Sequence, residues 1–179
     1  LIIYNAPWVC NQLSFDRLRS LAEHPRIVGC KDVTPLLTRT LEWTPQERRQ
    51  QDFSYLHGTD LLGVSSEMGA DGFVSSLTNA LPELGGAIWD AVRARQSERA
   101  YRLQSQFGRL TRATTFGPML ACLEAICQHR GLLNRMLPSP LRSLDVDTAR
   151  RVIDYVDRIG VLPWADEAAV TAMPVSSAR

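Results

Sequence analysis

Residues 1–76 hold four short apolar runs, each followed by a polar turn and a helical pattern, and this alternation constrains the chain more than its composition does. Residues 1–4 read as a strand, Asn5-Ala6-Pro7 as a turn, and Ser14 as the cap of a helix with Phe15, Leu18, Leu21 and Ala22 on one face. His24-Pro25 stops that helix, and residues 26–31 read as the second strand. A helix around Leu36, Leu37 and Leu41 follows, then a polar loop through Trp43-Thr44-Pro45. Residues 52–57 read as the third strand, Gly58-Thr59-Asp60 as a turn into a short helix with Leu61, Leu62, Val64 and Met68, and residues 72–76 as the fourth strand. Four strand–helix units in a row mean a parallel sheet, so the expected class is α/β.

After Pro82 the pattern becomes helical only. Helices are expected over residues 84 to about 95, 98 to about 110, 118–129 and 145–159, the last ending at Gly160. From about residue 163 the periodicity is lost, and residues 163–179 read as a disordered tail. Gly85-Gly86 has no strand before it, so it reads as a close helix contact and not as a phosphate cradle.

With 179 residues, 45% of them hydrophobic, the chain can bury a core, and a net charge of +1 leaves no footprint for nucleic acid or a polybasic membrane patch. The arginines from Arg93 to Arg112 are interleaved with Asp90, Glu98 and glutamines, as on a solvated helix face or a subunit contact. Cys10, Cys30, Cys122 and Cys127 show no metal-ligand spacing with His24, His57 or His129. Free thiols, no metal site and a cytoplasmic location are the expectation. No stretch is apolar enough to span a bilayer, and no signal peptide precedes the first strand. Residue 1 already lies in a strand with no initiator methionine, as in a chain entered mid-fold.

Of the 20 Lys and Arg residues only Lys31 is a lysine, and it stands at the end of an apolar strand. An amine in apolar surroundings is pushed toward its neutral, nucleophilic form, the usual preparation for Schiff-base chemistry with a carbonyl. The alternative is an arginine-biased composition that left one lysine there by accident. Strand alternation puts Gly29 and Ile27 on the face of Lys31, and Cys30 and Val28 on the face of the covering helices. Tyr4 ends the preceding strand, and adjacent parallel strands lie about 4.8 Å apart, so a phenol can stand beside the amine as a proton relay. A tyrosine in such a strand also reads as a core or rim residue.

These residues carry a family resemblance. Tyr4-Asn5-Ala6-Pro7, followed one unit later by Ile27-Val28-Gly29-Cys30-Lys31-Asp32, resembles the paired signature of the dihydrodipicolinate synthase and N-acetylneuraminate lyase family. Gly58-Thr59-Asp60, Gly72-Phe73-Val74-Ser75-Ser76, Asn79 and Pro82 continue the match to about residue 160. The resemblance implies the C-terminal half of a (β/α)8 TIM barrel, strands five to eight, over residues 1–95, with a helical C-terminal region over 96–162. It implies Lys31 as the imine-forming nucleophile and Tyr4 as the relay. The backbones of Gly58 and Val74 would line the side that binds pyruvate, and Asp60 and Ser76 join them as candidate substrate contacts. Partners would be a 2-oxo acid such as pyruvate and an aldehyde, with no cofactor beyond the imine. The full-length enzyme would be a homo-oligomer, usually a tetramer in this family.

The first half of the family barrel, which holds the pyruvate carboxylate and a tyrosine that crosses a dimer contact, has no counterpart here. The chain is therefore expected to be a fragment of a longer enzyme, inactive alone, with open apolar edges that self-associate. Departures bear on substrate. Val9 stands where dihydrodipicolinate synthases have a carboxylate-gripping arginine, Leu61 where sialic-acid lyases have an acidic residue, and Pro35 where a glycine is common. The expected activity is an aldolase of another 2-oxo acid. The alternatives are a dehydratase, dihydrodipicolinate synthase proper, or a non-catalytic remnant with an assembly or regulatory role.

Overall fold

The computed structural model describes residues 1–160 of the chain; the expected tail, residues 163–179, lies outside the described residues. Four strands, β1 (Ile2–Asn5), β2 (Gly29–Asp32), β3 (Ser54–His57) and β4 (Gly72–Phe73), pair in parallel in the order β1-β2-β3-β4. The register sets Tyr4 opposite Lys31 and Lys31 opposite Leu56, with Asn5, Asp32, His57 and Phe73 forming the next row.

Alternation assigns the two faces. Cys30 and Tyr55 pack with Phe15, Leu18 and Ala22 of α1 (Phe15–Ala22) and with Trp43 and Phe53, so this is the helix-covered face. Ile2 and Tyr4 point the other way and are 59% and 51% exposed. Two expected positions change. Ile27 and Val28 precede the assigned strand: Ile27 N–H donates to the His24 carbonyl at 2.9 Å in a tight turn, while Val28 already bonds both neighbours, its N–H donating to the Leu1 carbonyl and its carbonyl accepting from Ser54 N–H, each at 2.9 Å. That turn breaks the period of two. Ile27 packs on the helix-covered cluster and Val28 is exposed, the reverse of their expected faces.

The fourth strand is shorter than expected. Pairing stops after Phe73, and residues 77–79 coil into a single 3₁₀ turn. The expected helix around Leu36 is a 3₁₀ turn, Leu37–Leu41, since Leu36 and Leu41 face solvent and no apolar stripe supports an α-helix. The expected loop at Trp43-Thr44-Pro45 instead starts α2 (Pro45–Gln50). Thr44 and Glu47 form a reciprocal capping box, and Pro45 occupies the first turn, where its missing N–H costs nothing.

After α3 (Leu62–Glu67), four longer helices follow: α4 (Pro82–Arg93), α5 (Ser97–Thr111), α6 (Met119–His129) and α7 (Val146–Ile159). Their helical spacing buries Leu84, Ile88, Leu103, Phe107, Leu110, Ile126, Val152 and Val156 in one apolar cluster with Leu62 and Leu77. Gly85 lets α4 close on the end of the sheet, because a Cβ there would stand 2.8 Å from Thr78 Cγ2; Gly86 faces open space. Gly160 ends α7 with φ of 75°, a left-handed cap. Along α5, Arg102 pairs with Glu98 at 2.8 Å, which fits a solvated face.

Phe107 is fully buried at the centre of the helical cluster. Phe107→Ala should cost about 3–5 kcal/mol of unfolding free energy, read from urea denaturation, while surface changes such as Tyr101→Ala should cost far less.

Candidate active site

Lys31 leaves β2 on the open face, half-buried, and its Nζ lies 4.5 Å from the centroid of the Tyr4 ring. The contact is with the ring face, a cation–π arrangement; no hydrogen bond joins Nζ to the Tyr4 hydroxyl. The enclosed apolar setting expected for this amine is absent, because Tyr4 is itself half-exposed and no further layer covers this face among the described residues.

Gly58 stands immediately behind Lys31. A Cβ at this position would fall 2.0 Å from Val33 Cγ1 and 3.0 Å from Lys31 Cε, so any side chain would displace Val33 and crowd the lysine stem. Its N–H donates to the Asp32 carbonyl at 2.7 Å, which pins the loop after β3 to the end of β2. Tyr4, Lys31 and Gly58 are thus brought together. Asp60 lies in a different arrangement: its Oδ1 accepts from Ser75 Oγ at 2.6 Å, and its carbonyl accepts from Gln104 Nε2 of α5 at 2.8 Å. The serine that engages Asp60 is therefore Ser75, buried, whereas Ser76 is exposed and its carbonyl accepts from Asn79. Val74 is exposed, with its N–H on the His57 carbonyl at 2.9 Å. Among the described residues no hydrogen bond or ion pair links Asp60, Val74 or Ser76 to Lys31 or Tyr4. Nor does any cluster of His, Cys, Asp and Glu have the arrangement of a metal site.

A polar cluster behind the sheet was not foreseen. Asp32, next to Lys31 but on the opposite face, is fully buried. Its carboxylate accepts from Thr34 N at 2.9 Å, Thr34 Oγ1 at 2.8 Å, Tyr55 OH at 2.8 Å and Arg39 Nε at 3.1 Å. Burial, the largest influence, pulls the Asp32 carboxyl upward, yet Thr34, Tyr55 and the Arg39 guanidinium together hold it below its ordinary value. Tyr55 is raised by burial and by the Asp32 charge, so it stays a phenol donor. Burial, then Asp32, pushes the Cys30 thiol up to about 12, which removes it as a nucleophile. The one sequence signal was a carboxylate on the buried phase of a strand, which must find donors.

The chain's residues 1–159 match the model of the dihydrodipicolinate synthetase family. It belongs to that family. An uncharacterised DapA-like lyase of Halobacterium salinarum is 33% identical over 141 residues, 76% of this chain and 44% of its own length. The fold of dihydrodipicolinate synthase from Bacteroides thetaiotaomicron superposes with a TM-score of 0.80 at 21% identity, covering 88% of this chain and 55% of that one. A Sulfolobus solfataricus 2-keto-3-deoxygluconate aldolase variant in complex with pyruvate gives a TM-score of 0.74 at 22% identity, covering 88% and 53%. The family member spans about half the length of the curated relatives it matches. No described helix is long and apolar enough to cross a membrane.

His57, the β3 neighbour of Asp32, is buried with Nε2 unpartnered and Nδ1 2.9 Å from Thr59 Oγ1. Burial depresses it below the ordinary imidazole value of 6.5, with Asp32 opposing in part. In the unfolded chain His57 takes up its proton near pH 6.5 while in the fold it does not, so acidification favours unfolding. Urea midpoints should fall as pH drops through and below about 6.5, and His57→Gln should flatten that part of the profile; an unchanged slope would exclude His57 as the cause.

Proposed function

We propose that this chain carries the imine-forming centre of a class I, pyruvate-linked carbon–carbon lyase, as the strand five to eight half of a (β/α)8 barrel. The observation that carries the reading is the amine of Lys31 set over Tyr4 at matching ends of adjacent parallel strands, with Gly58 clearing space for the lysine stem. Ligands in parallel barrels bind at the C-terminal ends of the strands, where this pair stands. The pyruvate-bound aldolase of the same fold and the coverage of about half of each relative support the reading.

In the proposed reaction, Lys31 Nζ attacks C2 of pyruvate, and the carbinolamine loses water to give a protonated imine. That imine is the electron sink: loss of a C3 proton gives an enamine whose C3 attacks the aldehyde carbon, and hydrolysis releases the 2-oxo acid and regenerates the amine. Cleavage is the same sequence reversed. No metal or organic cofactor is required by these steps. Tyr4 would carry the protons that carbinolamine formation, dehydration and carbon–carbon bonding each move. Trp8 and Val9 follow β1 in an exposed turn in which Val9 N–H donates to the Ala6 carbonyl at 2.9 Å. A valine offers no fork for a carboxylate, so the acceptor is inferred to be a neutral or hydroxylated aldehyde.

In the full-length enzyme, pyruvate and borohydride should leave a covalent adduct that peptide mapping places on Lys31, and Lys31→Arg should abolish it, since a guanidinium cannot serve as the nucleophile. Tyr4→Phe should lower kcat by about 10²-fold. An active protein with unmodified Lys31 would sink the imine reading. In a panel of aldehydes, aspartate semialdehyde should be a poor acceptor; its efficient use would overturn the reading of Val9.

A further inference from the structure

Tyr4 and Lys31 stand on the open face, and no described residue packs over them to set their mutual geometry. Their next neighbours in sequence, Asn5 and Asp32, pair with each other in the sheet and are both buried on the other face. Behind the sheet these two are joined by a continuous path. Asn5 Oδ1 accepts from Leu13 N at 3.0 Å, and the Leu13 carbonyl accepts from Arg39 Nη2 at 2.9 Å. Arg39 Nε then donates to Asp32 at 3.1 Å, while its guanidinium carbon lies 4.4 Å from the centroid of the Phe15 ring. Tyr55 OH extends the path to β3.

We infer that Arg39 is a positioning residue: by bridging the loop that holds Asn5 and the carboxylate of Asp32, it sets Tyr4 against Lys31 from the far side of the sheet. The inference rests on the reading of Tyr4 and Lys31 as the working pair, and touches neither side chain directly. The fork of a guanidinium suits the task, since two of its nitrogens bind two acceptors on different segments at a fixed angle. Peptide hydrogen bonds hold the backbones of β1 and β2 side by side to their ends, where Val33 N–H donates to the Asn5 carbonyl at 3.0 Å, and the Arg39 bridge adds a side-chain tie between the same two ends from the covered face.

Because Lys31 is the only lysine, reductive methylation with ¹³C-formaldehyde gives one side-chain N-methyl signal, distinct from that of the N-terminal amine. A methylammonium over an aromatic face is shifted upfield by the ring current, and the difference from Tyr4→Leu isolates the contribution of that ring. This shift reads the geometry of the pair without any need for activity. The displacement should be present in the parent protein and mostly lost in Arg39→Met. It should be reduced in Tyr55→Phe, a milder change that decides the matter if Arg39→Met does not fold. Phe107→Leu, a loss of packing in the remote helical core, should leave it in place. A full displacement in folded Arg39→Met, or in Tyr55→Phe where that variant must decide, overturns the inference. So does its absence from the parent protein, or an equal loss in folded Phe107→Leu. Pyruvate trapping in the full-length enzyme reports separately: a displacement that depends on Arg39 with no adduct at Lys31 there would sink the lyase reading and leave the positioning intact.

Discussion

The buried carboxylate of Asp32 is the interaction on which the working end of the sheet depends. An unpaired carboxylate in the interior would cost several kcal/mol, so its donors must assemble for the strand end to form at all. Those donors come from three places in the chain: the turn after β2, the 3₁₀ turn that carries Arg39, and β3. Satisfying one charge therefore fixes three segments relative to each other. It also fixes protonation, with Asp32 held ionised and Tyr55 and Cys30 held neutral, so the covered face is chemically quiet. The nucleophilic chemistry is left to the opposite face.

The two faces differ in kind. A parallel sheet is normally covered on both sides, yet here only one side is packed among the described residues, and Ile2 and Tyr4 stand in the open on the other. Most of the apolar core lies away from the site, between α4, α5, α6 and α7. Gln104 ties the two regions together: from α5 it accepts from Gly63 N and donates to the Asp60 carbonyl, both at 2.8 Å, and so anchors the loop after β3 to the helices. Stability and chemistry are thus carried by separate parts of the chain, joined at a few polar contacts.

Much of this was legible from residue order. The four strands and the four long helices follow from apolar spacing, and the pairing of Tyr4 with Lys31 follows from two strands ending in register. The departures from that order have local physical causes. Thr44-Pro45 reads as a loop from its polar residues alone, whereas the capping box between Thr44 and Glu47 starts a helix there. Alternation alone puts Ile27 on the face of Lys31, but the turn at Ile27 interrupts that alternation and Ile27 packs on the covered face. The hydroxyl that reaches Asp60 is that of Ser75, a contact that no local pattern signals.

The sequence by itself determined the class of sheet, the family and the two residues that face each other, because these depend on periodicity and on side-chain chemistry within a few positions. What only the tertiary structure decided is how that pair is held. Arg39 and Tyr55 stand 7 and 23 positions from Asp32, and Leu13 stands 26 from Arg39. Nothing in their local patterns says that they meet. They meet because folding buries a carboxylate, and a buried charge draws its donors from wherever the chain can bring them.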